Sequence, residues 1–109
     1  MKRIGMVIGI RTDWMAAYEE LHAASNPGVR DLLNKYHMNN FSIFVHELDD
    51  GRLYLFGYYE YNGDDYEGDM ERLAAEPRNA DWLAVTAPMQ LPVRDAKAWS
   101  MMREVYHNS

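Results

Sequence analysis

Apolar and small or charged side chains alternate along the first ten residues. Ile4, Met6, Ile8 and Ile10 share one parity, and Arg3, Gly5, Val7 and Gly9 share the other. A period of two assigns each set to one face of a β-strand. The two glycines leave their face nearly bare, so another part of the chain is expected to lie close to it. From Asp13 the period lengthens. Asp13 is placed as an N-cap, and Trp14, Ala17, Tyr18 and Leu21 follow at helical spacing. The segment Ser25–Gly28 (SNPG) interrupts the helix, and a short second stretch resumes through Val29, Leu32 and Leu33.

The segment "NNFSIFVHEL" predicts the second strand, with Phe41, Ile43 and Val45 on one face and Ser42, Phe44 and His46 on the other. Asp49–Gly51 (DDG) is a hairpin signal joining it to "RLYLFGYYEY". That third strand carries Leu53, Leu55, Tyr59 and Tyr61 on one side and Tyr54, Phe56 and Tyr58 on the other. Both faces are bulky, which predicts that both are covered: one by helices, the other by a cavity, a ligand or a second subunit. Past Asn62-Gly63, residues Tyr66, Met70, Leu73 and Ala74 fall in helical register, with Pro77 read as the stop. A short helical turn is expected near Trp82, then a loop broken by Pro88 and Pro92. The tail reads as strand-like, with Val105 and His107 alternating against Glu104 and Tyr106.

Strand, helix, strand, strand, helix, strand is the order of the split βαβ, or ferredoxin-like, α+β fold with an antiparallel sheet. Such a sheet keeps its helices on one face. Large aromatics on the other face predict a homodimer joined sheet to sheet. The 109 residues suit one domain, residues 1–109.

Composition narrows the chemistry. There is no cysteine, so disulfides, thiolate metal sites and cysteine nucleophiles drop out. The net charge of −6, with basic residues scattered, argues against nucleic acid, which demands a concentrated basic surface. The basic, apolar start superficially suggests a secretory signal, but it alternates and no small-residue cleavage site follows. With no apolar run near the ~20 residues of a membrane span, the expectation is a cytoplasmic protein without membrane contact. A neutral small molecule is the electrostatically easiest partner.

One pair of residues invites a chemical reading. In "YEELH", Tyr18 and His22 stand four apart on the first helix, so both side chains can converge on one ligand. Histidine suits proton transfer in both directions near neutral pH. The same spacing equally describes a surface histidine beside a core tyrosine. Metal binding fares worse, because no histidine pair has zinc-site spacing. The run Asp64, Asp65, Glu67 and Asp69 departs from a calcium loop and fits a helix N-terminus instead. With no phosphate-cradling glycine loop, nucleotide cofactors are disfavoured and none is expected. Eight tyrosines and three tryptophans supply surfaces on which the C–H faces of a sugar can stack, although most of them must fill the core or an interface.

The chain resembles the L-rhamnose mutarotases, small cofactor-free sugar epimerases acting at the anomeric carbon. The resemblance rests on "MKRIGMVIGI", "YEELH", "NNFSIFVHELDDGRLYLFGYYEY", "DW" followed by "PMQLP", and "MREVYH", in that order along nearly the whole length. It implies a dimeric ferredoxin-like α+β barrel with a sugar pocket on the helix and sheet face. His22 matches the family's proton donor and Tyr18 its substrate-binding tyrosine. Phe41 stands where the family has a tyrosine, Trp82 matches the first of a Trp-Trp pair, and Leu83 replaces the second. These departures bear on which deoxysugar fits. The base is left open among water, Tyr18 and a strand residue such as Tyr54. Two other readings share the scaffold. One is a cofactor-independent monooxygenase or haem-degrading enzyme, with His37, His46 or His107 as candidate ligands; the other is a non-enzymatic sugar-binding protein.

Overall fold

A computed structural model describes residues 1–109. The N-terminal alternation forms β1 (Lys2–Ile10), and the two aromatic segments form β2 (Met38–Glu47) and β3 (Leu53–Tyr61). The sheet order is β2-β3-β1-β4, where β4 is Gln90–Leu91, and a last strand, β5 (Ser100–Met102), shares the β1 edge with β4. Every pairing is antiparallel. A bare β1 face proves necessary at Gly9, where a Cβ would sit 2.7 Å from the Leu91 carbonyl oxygen. The hairpin closes as its sequence predicts: the Gly51 amide donates to the Leu48 carbonyl at 2.9 Å, with Gly51 at φ 77°.

One irregularity escapes the sequence. Asn39 pairs with Glu60 and Ser42 with Tyr58, so Asn40 and Phe41 together oppose Tyr59. This is a β-bulge, and Asn40 takes it up at φ 53°, a conformation asparagine tolerates better than most residues. The bulge keeps Met38 and Phe41 on the same face despite their odd separation. The Phe41 ring stacks on Tyr59 with centroids 5.1 Å apart.

Helices α1 (Met15–Leu21), α2 (Arg30–Lys35), α3 (Tyr66–Ala75) and α4 (Pro77–Thr86) accompany the sheet. None is long and apolar enough to cross a membrane. Three sequence expectations are corrected here. Asp13 does not cap α1; it lies inside a tight 3-10 turn over Thr12–Trp14, closed by the Trp14 amide on the Arg11 carbonyl at 2.9 Å. Pro77 does end α3, but it also occupies the first turn of α4, where its missing N–H costs nothing and its fixed φ suits the helix. Trp82 therefore lies on a ten-residue helix and not in a short turn. The tail is strand only at Ser100–Met102. Beyond it, Glu104 accepts from the Arg3 guanidinium at 2.7 Å, while Val105 and Tyr106 project into solvent.

The buried face carries Met6, Ile8, Ile10, Leu55, Tyr59 and Tyr61. They divide into two clusters, and Trp99 packs against both. The opposite face, expected to be covered, is only half-buried at Tyr54, Phe56 and Tyr58, and Phe44 is 67% exposed.

Asp69 fastens α3 to the end of β3. Only 5% exposed, it accepts from the Tyr61 hydroxyl at 2.5 Å, the Arg72 Nη2 at 2.7 Å and His37 Nδ1 at 2.9 Å. These partners, Tyr61 foremost and then Arg72 and His37, hold its carboxyl well below the usual carboxylate range. The acidic run thus divides its labour: Asp65 caps α3 by accepting from the Gly68 amide at 3.1 Å, while Asp69 is a buried anchor.

Candidate active site

Between the helices and the sheet lies a cavity of about 890 Å³, within the size range of small-molecule sites. Tyr18, His22, Phe41, Trp82 and Leu83 all line it, although they come from three separate elements and the residue that follows α1. Leu83 stands at the rim, 50% exposed.

The geometry at His22 follows from where α1 stops. A helix leaves its last carbonyls without intrahelical partners. His22, just past Leu21, turns its Nδ1 to the Tyr18 carbonyl at 2.7 Å. A carbonyl can only accept, so Nδ1 carries the hydrogen and Nε2 is the nitrogen left without a protein partner. The imidazole stacks on the Tyr18 ring with centroids 4.3 Å apart and meets the edge of Trp82 at 5.2 Å. The loop that follows is held by Arg30, whose Nη2 donates to the carbonyls of His22 at 2.8 Å and Ala23 at 3.0 Å.

Tyr18 is buried, and its hydroxyl accepts from Gln90 Nε2 at 3.2 Å. Burial raises its phenol above the ordinary value, and the Gln90 bond only partly offsets this. Tyr18 therefore keeps its proton at neutral pH. Tyr54, considered as a base from sequence, pairs with Gly9 and His46 on the opposite sheet face, and its hydroxyl is bound to Asp50. It does not reach the cavity.

Trp82 is positioned by two contacts. Gly28, at φ 54°, presses against the indole so closely that a Cβ would lie 3.1 Å from it. Arg78 ties α4 to the start of α2 through Asp31 at 2.7 Å and also donates to the Gly28 carbonyl at 3.2 Å. That ion pair lowers Asp31 to about 2.

Sequence reasoning missed several lining residues: Asn79, Thr86, Gln90, Arg30 and Trp99. With α4 read as a full helix, Asn79, Trp82, Leu83 and Thr86 would have appeared at i, i+3, i+4 and i+7 on one face. Gln90 had no such signal, since a two-residue strand has no period to read. The candidate haem ligands lie elsewhere: His37 is bound to Asp69, and neither His46 nor His107 lines the cavity.

Comparison with known proteins bears on the fold and the family. No curated protein matches the chain by sequence. Among solved structures, an L-rhamnose mutarotase from Formosa agariphila is similar over 100% of both chains, with a TM-score of 0.74 at 20% identity. A proposed antibiotic biosynthesis monooxygenase from Nitrosomonas europaea is similar over 98% of this chain and 93% of its own, with a TM-score of 0.54 at 15% identity. At such identities both likenesses speak for the fold, a curled antiparallel sheet with helices on one side. A family model described as L-rhamnose mutarotase matches residues 3–108, and the chain belongs to that family.

Proposed function

We propose that this chain is an aldose mutarotase, an isomerase that interconverts the α and β anomers of L-rhamnose or a related deoxysugar. The observation that carries this reading is the pinned imidazole: Nδ1 is committed to the Tyr18 carbonyl, and Nε2 is free beside a cavity with ample room for a monosaccharide. In the forward step, His22 as imidazolium gives its Nε2 proton to the ring oxygen while the anomeric hydroxyl loses its own. The C1–O5 bond breaks, C1 becomes an aldehyde, and rotation about C1–C2 presents its other face. Closure reverses the transfers, and Nε2 recovers its proton. Tyr18, holding its proton, binds the sugar as a donor. With Tyr18 and Tyr54 set aside as bases, water entering the cavity accepts the anomeric proton. Trp82 and Phe41 stack on the apolar face of the ring, and Leu83 borders the entrance. Open-chain exchange already proceeds in water, so the enzyme need remove only about a few kcal/mol of barrier.

We infer further that the chain acts as a cytoplasmic homodimer of single-domain subunits. Phe44, Tyr54, Phe56 and Tyr58 form an aromatic outer sheet face that a second copy would cover. Phe44→Asp should then yield a monomer by sedimentation analysis.

Anomer exchange measured by saturation-transfer NMR over L-rhamnose, L-fucose and related aldoses tests reaction and substrate together. Exchange should be fastest with L-rhamnose or a close deoxysugar and should fall to the spontaneous rate in His22→Ala. Full activity in that variant would remove His22 from the mechanism. Binding without faster exchange would leave a sugar-binding protein.

A further inference from the structure

We propose that Asn79 and Thr86, one helical stripe on α4, are specificity-determining residues that hold the ring hydroxyls of the sugar while its apolar face and methyl lie against the sheet. This rests on the mutarotase reading and extends it to how the substrate is oriented.

Two unmet polar groups carry the inference. Asn79 is 7% exposed and Thr86 3%. Both line the cavity, and neither side chain has a hydrogen-bond partner elsewhere in the protein. No side-chain polar atom is both sealed from solvent and unpaired, so the amide and the hydroxyl must open onto the cavity. Polar groups set in a largely buried stripe, with no protein partner and only the cavity to face, are the ones a bound ligand can engage. A ligand that supplies matching donors and acceptors replaces the cavity solvent there.

The spacing adds a shape. Asn79 and Thr86 are seven residues apart, two turns of α4, with Trp82 and Leu83 between them. The stripe is thus polar at both ends and apolar in the middle. The facing wall is mostly apolar, with Met6, Met38, Phe41 and Leu55; its polar groups, Gln90 and the Tyr59 hydroxyl, are already bound to Tyr18 and Tyr66. A pyranose has hydroxyls around its rim and C–H groups on its faces. Its rim fits the two ends of the stripe, and a 6-deoxy methyl fits the sheet side. An amide and a hydroxyl each both donate and accept, which matches hydroxyl groups and carries no preference for a charged sugar.

The test compares L-rhamnose with its 2-, 3- and 4-deoxy analogues in anomer exchange. It uses the wild type, Asn79→Leu, Thr86→Val and the conservative Thr86→Ser, with thermal melts confirming folding. Asn79→Leu and Thr86→Val should each raise KM for L-rhamnose about tenfold with kcat nearly unchanged, and Thr86→Ser should stay near wild type. At least one deoxy analogue should lose affinity in the wild type and be no worse than L-rhamnose in the variant lacking its partner. KM within twofold of wild type in folded Thr86→Val and Asn79→Leu overturns the proposal and leaves the mutarotase reading intact. So does an equal penalty for every analogue in every variant. Should Asn79→Leu not fold, the Thr86 pair decides by the same criteria. A wild type that does not accelerate exchange overturns the mutarotase reading and this inference with it.

Discussion

Two polar clusters, each with a tyrosine and a histidine, treat their hydrogen bonds differently. Around Asp69, each carboxylate oxygen is engaged, with Tyr61, His37 and Arg72 as donors. Around Tyr18 the accounts stay open: His22 uses one nitrogen, Gln90 one donor, and Asn79 and Thr86 none. Both clusters contain a tyrosine and a histidine, so composition does not separate them. Satisfaction does. A closed network fixes geometry and has nothing left to offer a ligand, whereas an open one is tolerated only where something else arrives to complete it.

The widest separation should come from a pair of substitutions. His22→Ala is expected to cut accelerated exchange by about 100-fold or more while barely moving the melting temperature. Asp69→Asn should do the reverse, lowering the melting temperature by roughly 5 °C or more with KM unchanged. Calorimetry and NMR exchange on the two proteins would blur the comparison if both properties fell together. Acid offers a second separation. Asp69 is depressed in the folded protein, so its contribution is complete above its unfolded value, about pH 4, and is lost as pH falls towards the lower folded value. Stability should therefore drop with acid below about pH 4, and Asp69→Asn should flatten that slope in melts across pH. Next in size is Gly28→Ala. It strains a left-handed residue by about 1 kcal/mol and pushes a methyl into Trp82, so KM should rise several-fold with a modest loss of stability. Phe41→Tyr should have the smallest effect, a KM change of less than tenfold, since one hydroxyl supplies about 1 kcal/mol.

Much of the scaffold was written in parity. β1, β2 and β3 each announce their buried face by alternation, and DDG announces their hairpin. Tyr18 and His22 were legible because i, i+4 spacing survives in any helix. Phe41, Trp82 and Leu83 came through resemblance, not through spacing. Helix α4 was hidden because proline reads as a breaker from the N-terminal side and as a starter from the C-terminal side. The tail misled for another reason: alternation predicts a strand only where a neighbour offers a ladder, and β1's pairing with the tail ends at Gly5–Val7. Asn79 and Thr86 shared the spacing of that hidden helix, but their lack of protein partners is a property of surroundings and not of sequence.

The kink at Asn40 makes one backbone angle a selector for the whole cavity wall on β2. A residue that refuses positive φ there, valine for example, would draw the segment back into an even pleat. Keeping the hairpin end fixed would then turn Met38 outward; keeping the Met38 end fixed would send Phe41 and Ile43 to the aromatic side and bring Ser42 and Phe44 in. Relatives with different sugar preferences therefore have a route to a new pocket lining that alters no lining residue at all.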